Sequence, residues 1–515
     1  MTQAEPDSAR LGAARGDPGT ARGGLGAART RLGLSPTDAL AWVLHTLIVA
    51  VLIWNHEPWR DELQAWSIAM TSHNPLDLLP NTRLEGRPPG WQLALWPFAQ
   101  VSTSVRTMQA VTLVVGALGA WWWLRRSALA WWLKAAVLFG FLFTGGYLVH
   151  SRDYVLSFFM LVFVTAVYER RGAGMRLAVA LCALAWVNAF SLAMAAAFFA
   201  AAWLPEVIAW RRKTAPERSR IVEAFVVCTG WFAWSAYLTY PTADSQFGVG
   251  KYKGFGNALT KSFIPLDYDW AWLVRVDDFL AAALLVAALA YAWWHSRAAF
   301  VFVAAALAML LYNLTYGYGD YWWHFGNAYM VVFVATCFAR GIGGAGGRRS
   351  GTSDAGGVSR VLRLVGVGGL VVMALANLAA SRYGAGRDVY ADRDYSSSAP
   401  AAAQIREICN GCTIIADWDA IGAAVSALLD NQPVYYLNRG EFGTFAEYSN
   451  KNIAPAWNDA LAAAVRFERP LIIQTAFMNE PPPGDFELIG LHRDGVHDHI
   501  NMWQYAPRAV VPSDD

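Results

Sequence analysis

The chain has 515 residues, of which 56% are hydrophobic and only 16% charged, with 25 Trp and a mean hydropathy of +0.28. A water-soluble chain carries about a quarter charged residues, so this composition describes an integral membrane protein and excludes a disulfide scaffold, a coiled coil and a disordered chain. The formal charge of +2 conceals an asymmetry: residues 1–380 hold 31 Lys and Arg against 21 Asp and Glu, whereas residues 381–515 hold 10 against 18. The two parts face different surroundings.

Residues 1–37 are rich in Gly, Ala and Arg and lack the short basic stretch and small-residue cleavage site of a secretory signal. They read as an unstructured, retained cytoplasmic tail, because cytoplasmic ends of spans carry the excess of Lys and Arg. Apolar runs follow at 38–54, 107–124, 129–149, 153–168, 175–190, 191–209, 221–240, 279–295, 298–316, 322–340 and 361–380. Each is at or near the roughly 20 residues that a spanning helix needs. Eleven spans with an inward N-terminus place 22 of the 31 cations of residues 1–380 on the cytoplasmic side. Segment 88–102 is too short and Pro-interrupted to span, and reads as interfacial or re-entrant. The outer face then receives a long first loop at 55–106, the link around Arg152, a loop at 241–278, the turn from Tyr316 to His324, and the C-terminal part. Gly341 to Gly357 is a flexible Gly/Ser linker.

From 381 to 515 the period changes. Short apolar runs Thr413 to Ala416, Val434 to Leu437, Leu471 to Gln474 and Phe486 to Leu491 read as buried strands, alternating with helical stretches at 400–408, 419–430 and 456–467. A small three-layer α/β domain is predicted, outside the membrane. Cys409 and Cys412 suit a local disulfide in an oxidising compartment, but their spacing alone does not make a redox site. His492, His497 and His499 with Asp494 and Asp498 lie in a hydrophilic loop, where solvation is the ordinary reading and metal binding needs convergence that sequence does not show.

Three outer-face segments carry the chemistry. In His56-Glu57-Pro58-Trp59-Arg60-Asp61-Glu62, carboxylates crowd beside the bilayer surface, where they are costly unless solvated, paired or used. Their ordinary role is to cap the helix that begins there. In Leu84-Glu85-Gly86-Arg87-Pro88-Pro89-Gly90-Trp91, an Arg precedes a rigid Pro-Pro step and suits either a phosphate or snorkelling to the interface. In Ser151-Arg152-Asp153-Tyr154, the plain alternative is an Arg-Asp self-pair. The three together, in this order on one face, resemble the GT-C superfamily of membrane glycosyltransferases. Residues 56–91 are similar to a bacterial branch related to the protein O-mannosyltransferases and the lipid A aminoarabinose transferase, in which His-Glu-Pro-Trp-x-Asp-Glu-x-Gln-Ala-Trp and Glu-Gly-x-Pro-x-x-Trp recur as a pair. The resemblance weakens after about residue 160, and that branch more usually has Gly-His where Gly86-Arg87 stands.

The resemblance implies an α-helical polytopic enzyme of the bacterial inner membrane. It would move a sugar with inversion from a polyprenyl phosphate to a glycan, lipid or protein acceptor at the outer face. Asp61 matches the first-loop aspartate that acts as general base or aligns the acceptor, Glu62 supports it, and Asp153 matches a second acidic position that shares a divalent metal with Asp61 if one is used. Arg87 falls where relatives bind the donor phosphate, and His324 at a basic helix mouth, where it serves phosphate or an aromatic belt. Independently of the name, displacing a sugar from a lipid phosphate requires a carboxylate to deprotonate the acceptor and cations to stabilise the leaving phosphate. Arg152, Lys251 and Lys253 are further cation candidates, with a solvated loop the plainer reading for the two lysines. Nothing points to nucleic acid. A transporter or flippase is the competing class, but transporters place ionisable groups near the bilayer midplane and often repeat a half. Neither feature is found here, and a non-catalytic assembly partner is a third class. Reporter fusions after Arg126 and after Arg387 are expected to read cytoplasmic and extracytoplasmic respectively. A cytoplasmic readout at Arg387 contradicts the topology.

Overall fold

The computed structural model describes residues 33–246, 252, 254–264, 274–317, 322–341, 356–380, 396–475, 478, 482, 484–493 and 499–506. Its helices are α1 (Pro36–Asn55), α2 (Arg60–Thr71), α3 (Leu78–Asn81), α4 (Gly90–Ala99), α5 (Val105–Arg126), α6 (Trp131–Leu138), α7 (Asp153–Arg171), α8 (Met175–Ala185), α9 (Ala189–Ile208), α10 (Ala215–Thr239), α11 (Phe255–Phe263), α12 (Val274–His295), α13 (Arg297–Tyr316), α14 (Trp322–Phe325), α15 (Asn327–Gly341), α16 (Gly356–Ala379), α17 (Ser398–Ile408), α18 (Asp419–Leu428) and α19 (Trp457–Arg466). Six strands complete it: β1 (Thr413–Ala416), β2 (Val434–Tyr436), β3 (Glu441–Gly443), β4 (Pro470–Gln474), β5 (Phe486–His492) and β6 (Ile500–Tyr505).

Among the described residues seven helices, α1, α5, α9, α10, α12, α13 and α16, are long and apolar enough to cross a membrane. An eighth crossing forms if α6 and the π-helical turns Leu142–Val149, bent by 44°, count as one span. The other three expected runs are also helical, but α8 has 11 residues, α15 has 15, and α7 carries Asp153, Glu169, Arg170 and Arg171. The break between α6 and the π turns is the main departure from the expected continuous run at 129–149. It survives in an apolar setting because Asn377 of α16 satisfies the interrupted backbone. Its Oδ1 accepts the Leu142 N–H at 2.9 Å and its carbonyl accepts the Phe141 N–H at 3.0 Å. Backbone groups without water must find such partners.

α1 starts cleanly because Ser35 accepts the Asp38 N–H at 3.1 Å and Pro36 occupies the first turn. It ends before Pro58, which cannot continue a helix. The start of α5 returns to the end of α1, where Gln109 Nε2 donates to the carbonyls of Ile53 and His56. α5 and α7 pack together and finish on Arg125-Arg126 and Arg170-Arg171, far from the Asp153 end of α7. Segment 88–102 contains α4, only 10 residues long, as its interfacial reading requires.

The C-terminal part is a six-stranded sheet in the order β3-β2-β1-β4-β6-β5, with β2, β1 and β4 mutually parallel and the other pairs antiparallel. α17 and α18 cover one face through Ile414, Ala416, Val434 and Ile473. α19 covers the other through Ile415, Ile472 and Trp503. Alternate residues of β1 and β4 therefore serve two cores, the period-two pattern of a sheet buried on both sides. β3 and β6 were not expected from sequence, whereas the four strands that were expected are present. Cys409 and Cys412 are joined by a disulfide at the end of α17. His492 closes β5 and its Nε2 lies 2.8 Å from Gln404 Oε1, while Asp494, His497 and Asp498 lie outside the described residues.

This sheet is fastened to the first loop. Gln64 of α2 forms a double hydrogen bond with the Ala446 backbone, donating to its carbonyl at 2.9 Å and accepting its N–H at 2.8 Å. Ser67 donates to the Thr444 carbonyl at 2.6 Å, and Leu63 packs on Ala424 and Ala427 of α18. The α/β part thereby roofs the end of the membrane body at which α2 begins.

Candidate active site

A cavity of about 400 Å³ opens beneath that roof. Its walls include Asp61, Arg87, Arg152, Asp153 and His324, five residues singled out from sequence and drawn from four separate segments. Lys251 and Lys253 lie outside the described residues.

Local structure explains how each side chain arrives. Pro58 forces an extended step and α2 starts at Arg60, so Arg60 and Asp61 occupy its first turn. Gly86 adopts a left-handed conformation, φ +66°, which a side chain would strain, and it turns the chain immediately before Arg87. Gly90 donates its N–H to the Trp186 carbonyl at 3.1 Å, and a Cβ there would lie 2.2 Å from that oxygen. Only glycine permits this approach. Asn188 accepts the Ser191 N–H at 2.7 Å and so caps α9 in the tight turn beside the cavity.

The charges pair across motifs as well as within them. Arg152 Nη1 is 3.1 Å from Asp61 Oδ2, and Arg87 Nη1 is 4.0 Å from Asp153 Oδ2. The Arg152-Asp153 self-pair, the plain alternative read from sequence, is not among these ion pairs. Glu85, unremarked among the sequence candidates, holds Arg87 by its Nε at 2.8 Å and is itself fixed by Gln64 at 3.0 Å and Gln92 at 3.1 Å. Burial disfavours the Arg87 charge, but Glu85 and Asp153 outweigh it and hold the guanidinium protonated; Asp61 does the same for half-buried Arg152. Neither arginine is saturated. Arg87 Nη1 is beyond hydrogen-bond reach of Asp153, and buried Arg152 Nε makes no hydrogen bond. Both guanidinium groups belong to residues that line the cavity, and each keeps donors without a hydrogen-bond partner.

Glu62, expected to support Asp61 in catalysis, does not line the cavity, and this corrects the sequence reading. It points into the protein, fully buried, where it accepts the Ser151 N–H at 2.5 Å and the Trp59 N–H at 3.2 Å and lies 2.8 Å from His56 Nε2. Successive residues on a helix face different directions, so adjacency to Asp61 sends Glu62 elsewhere. From the other side, Trp91 Nε1 donates to the Ser151 carbonyl at 3.1 Å. Both backbone polar groups of Ser151 are therefore held by the first-loop motifs, immediately before Arg152 and Asp153.

A divalent metal shared by Asp61 and Asp153 does not fit these residues. Asp61 sits between Arg152 and Arg60, the latter at 3.6 Å, and among the described residues no group of three or more His, Cys, Asp or Glu converges. Arginine donors occupy the places that further oxygen ligands would need. The aromatic walls, Trp59, Tyr154, Trp323, Trp418 and Tyr448, were also missed as site residues. Arg60 lies 5.0 Å from the Trp418 ring and 5.7 Å from Trp59, and Arg152 5.2 Å from Trp323 and 5.9 Å from Trp59. Cations and rings alternate from the roof to α14.

The chain superposes on the crystal structure of ArnT from Cupriavidus metallidurans bound to undecaprenyl phosphate with a TM-score of 0.52, covering 90% of this chain and 97% of that one at 11% sequence identity. The two share a fold, and no protein-family model or curated protein matches the chain.

Burial opposes ionisation of Glu62, but His56 and the Ser151 N–H outweigh it and hold the carboxyl below its ordinary range. A depressed native pKa contributes stability above the unfolded pKa, about 4.3 for Glu, and that contribution is lost as pH falls through the native value. Glu62→Gln is expected to cost about 1–3 kcal/mol at neutral pH, with the gap to wild type closing in acid. Thermal unfolding in detergent across pH measures this; a gap unchanged down to acid pH contradicts it.

Proposed function

We propose that the protein is an inverting glycosyltransferase that moves a sugar from a polyprenyl-phosphate donor to an envelope acceptor at the extracytoplasmic face of the bacterial inner membrane. The observation that carries this reading is one cavity lined both by a carboxylate, Asp61, and by two half-buried arginines with uncommitted donors, Arg87 and Arg152. A second, apolar cavity of about 410 Å³, lined by Leu192, Ala193, Ala196, Ala308 and Met309, shares Ala189 with the first. A phosphate at the arginines and an isoprenoid chain along α9 and α13 suit this adjacency, and the neighbouring fold is that of a protein with undecaprenyl phosphate bound.

In the proposed reaction, Asp61 takes the proton of the acceptor hydroxyl as its oxygen attacks the anomeric carbon. The bond from that carbon to the phosphate oxygen breaks, and the charge on the departing lipid phosphate is stabilised by Arg87 and Arg152. A single displacement inverts the anomeric configuration. Asp153, buried with Oδ1 lacking a hydrogen-bond partner, orients Arg87. In this reading the chain makes eleven crossings, the three short or charged helices α7, α8 and α15 included. Residues 1–37 form the cytoplasmic tail, 38–380 the membrane domain and 381–515 an outer domain. The transporter alternative is disfavoured because the charged cluster sits at one end of the bundle under the roof, rather than in mid-span.

Asp61→Asn preserves size but removes basicity, and is expected to lower transfer by about 10²- to 10⁴-fold with lipid-phosphate binding retained. Arg87→Ala is expected to weaken undecaprenyl-phosphate binding about ten- to a hundredfold, and Arg87→Lys to recover part of it, since charge survives without the fork. A binding titration on wild type and the three variants, paired with a transfer assay, decides the matter. Unchanged turnover in Asp61→Asn removes the base from the mechanism, and equal affinity in all four proteins removes Arg87 from the phosphate site.

A further inference from the structure

The α/β part gives two side chains to a cavity otherwise built by the membrane body and its loops, Trp418 and Tyr448. Sheet topology explains the first. β1 has parallel neighbours on both sides; its outgoing chain passes through α18 on one face to β2, and the chain returns through α19 on the opposite face to β4. The connections therefore reverse direction at the carboxyl ends of β1 and β4, where open α/β sheets form a ligand crevice. Trp418 is the second residue after β1 and directly precedes α18. Asp417 before it accepts from the Thr475 N–H at 2.9 Å and the Thr475 hydroxyl at 2.6 Å, at the end of β4. That staple fills the crevice floor and leaves the indole as the group that borders the cavity.

Tyr448 arrives by a different route. Its carbonyl accepts the Gln246 N–H at 2.8 Å, and its ring shares with Trp418 the support of Ala420, Ala423 and Ala446. Arg60, Asp61 and Gln64 line the same part of the cavity, with Arg60 5.0 Å from the Trp418 ring and 3.6 Å from Asp61. Flat aromatic surface bordered by a cation, a carboxylate and an amide matches a polyhydroxylated ring, whose C–H face stacks while its hydroxyls bond at the edge.

We propose that Trp418 and Tyr448 form a sugar-ring subsite, a specificity-determining wall that holds a pyranose against Asp61. The proposal rests on the reading of the cavity as a site for polyprenyl-phosphate-linked sugar, and adds that the α/β part recognises the ring. The ring belongs either to the donor sugar or to a glycan acceptor, since both present the same C–H face.

The test uses the full chain in lipid nanodiscs, as wild type, Trp418→Ala, Trp418→Phe and Tyr448→Phe. Each is titrated with undecaprenyl phosphate and with a panel of undecaprenyl-phosphate-linked hexoses, and assayed for transfer to an envelope glycan fraction of varied concentration. Affinity for bare undecaprenyl phosphate is expected to hold in all four proteins. The sugar-dependent step is expected to fall about tenfold in Trp418→Ala, the scale of one lost stacking contact, with Trp418→Phe recovering most of it. A loss in hexose-lipid affinity assigns the ring to the donor; a rise in KM for the glycan with donor affinity intact assigns it to the acceptor. The subsite is overturned if Trp418→Ala and Tyr448→Phe both match wild type in every measurement, or if bare and sugar-bearing lipid lose affinity in parallel. A wild type that binds no polyprenyl phosphate overturns instead the reading of the cavity on which the subsite rests.

Discussion

The grip on the Ser151 backbone is the contact on which the site depends. Glu62 takes its N–H and Trp91 reaches its carbonyl, so two segments of the first loop fix the two peptide units that flank this residue in the link before α7. Because that backbone is fixed, Arg152 reaches across to Asp61 and Asp153 faces Arg87. The crossed pairing has an energetic logic. Buried charges are tolerated when paired and hydrogen-bonded: Asp61 of the first motif meets Arg152 of the third, Asp153 of the third faces Arg87 of the second, and Glu85 holds Arg87 within the second.

The roof extends the same logic over a longer stretch of chain. Gln64 exchanges two hydrogen bonds with Ala446 while also donating to Glu85. One amide therefore connects the α/β part, α2 and the carboxylate that orients Arg87. The roof is docked on this side by polar contacts of defined geometry together with an apolar cluster of Leu63, Ala424 and Ala427. Docking of the roof and orientation of the cations are consequently linked, which gives the α/β part a direct influence on a charged site built largely by the membrane body.

The sequence was most legible where charge is expensive. Asp61, Arg87, Arg152 and Asp153 stood out because ionisable groups beside apolar runs demand a reason, and all four line one cavity. The same reasoning could not tell which of two adjacent carboxylates faces that cavity; helical geometry decides it, and Glu62 turned out to be buried. Trp418 and Tyr448 carried no local signal, because hundreds of residues separate them from Asp61 and only the docked sheet brings them near. Periodicity found the strands Thr413–Ala416 and Pro470–Gln474, which are buried on both faces, but missed Glu441–Gly443, a three-residue edge strand, and Ile500–Tyr505, which follows a polar loop. The break after α6 was invisible because its compensation, Asn377, is supplied from α16 far along the chain.

Native mass spectrometry of the full chain extracted from membranes tests the central claim most directly, since it weighs the lipid that the cavity retains, whichever sugar that lipid carries. The account predicts a copurifying polyprenyl phosphate, bare or sugar-bearing, that added undecaprenyl phosphate displaces one for one. Retention of ordinary phospholipid alone, with no mass shift when undecaprenyl phosphate is supplied, would contradict it.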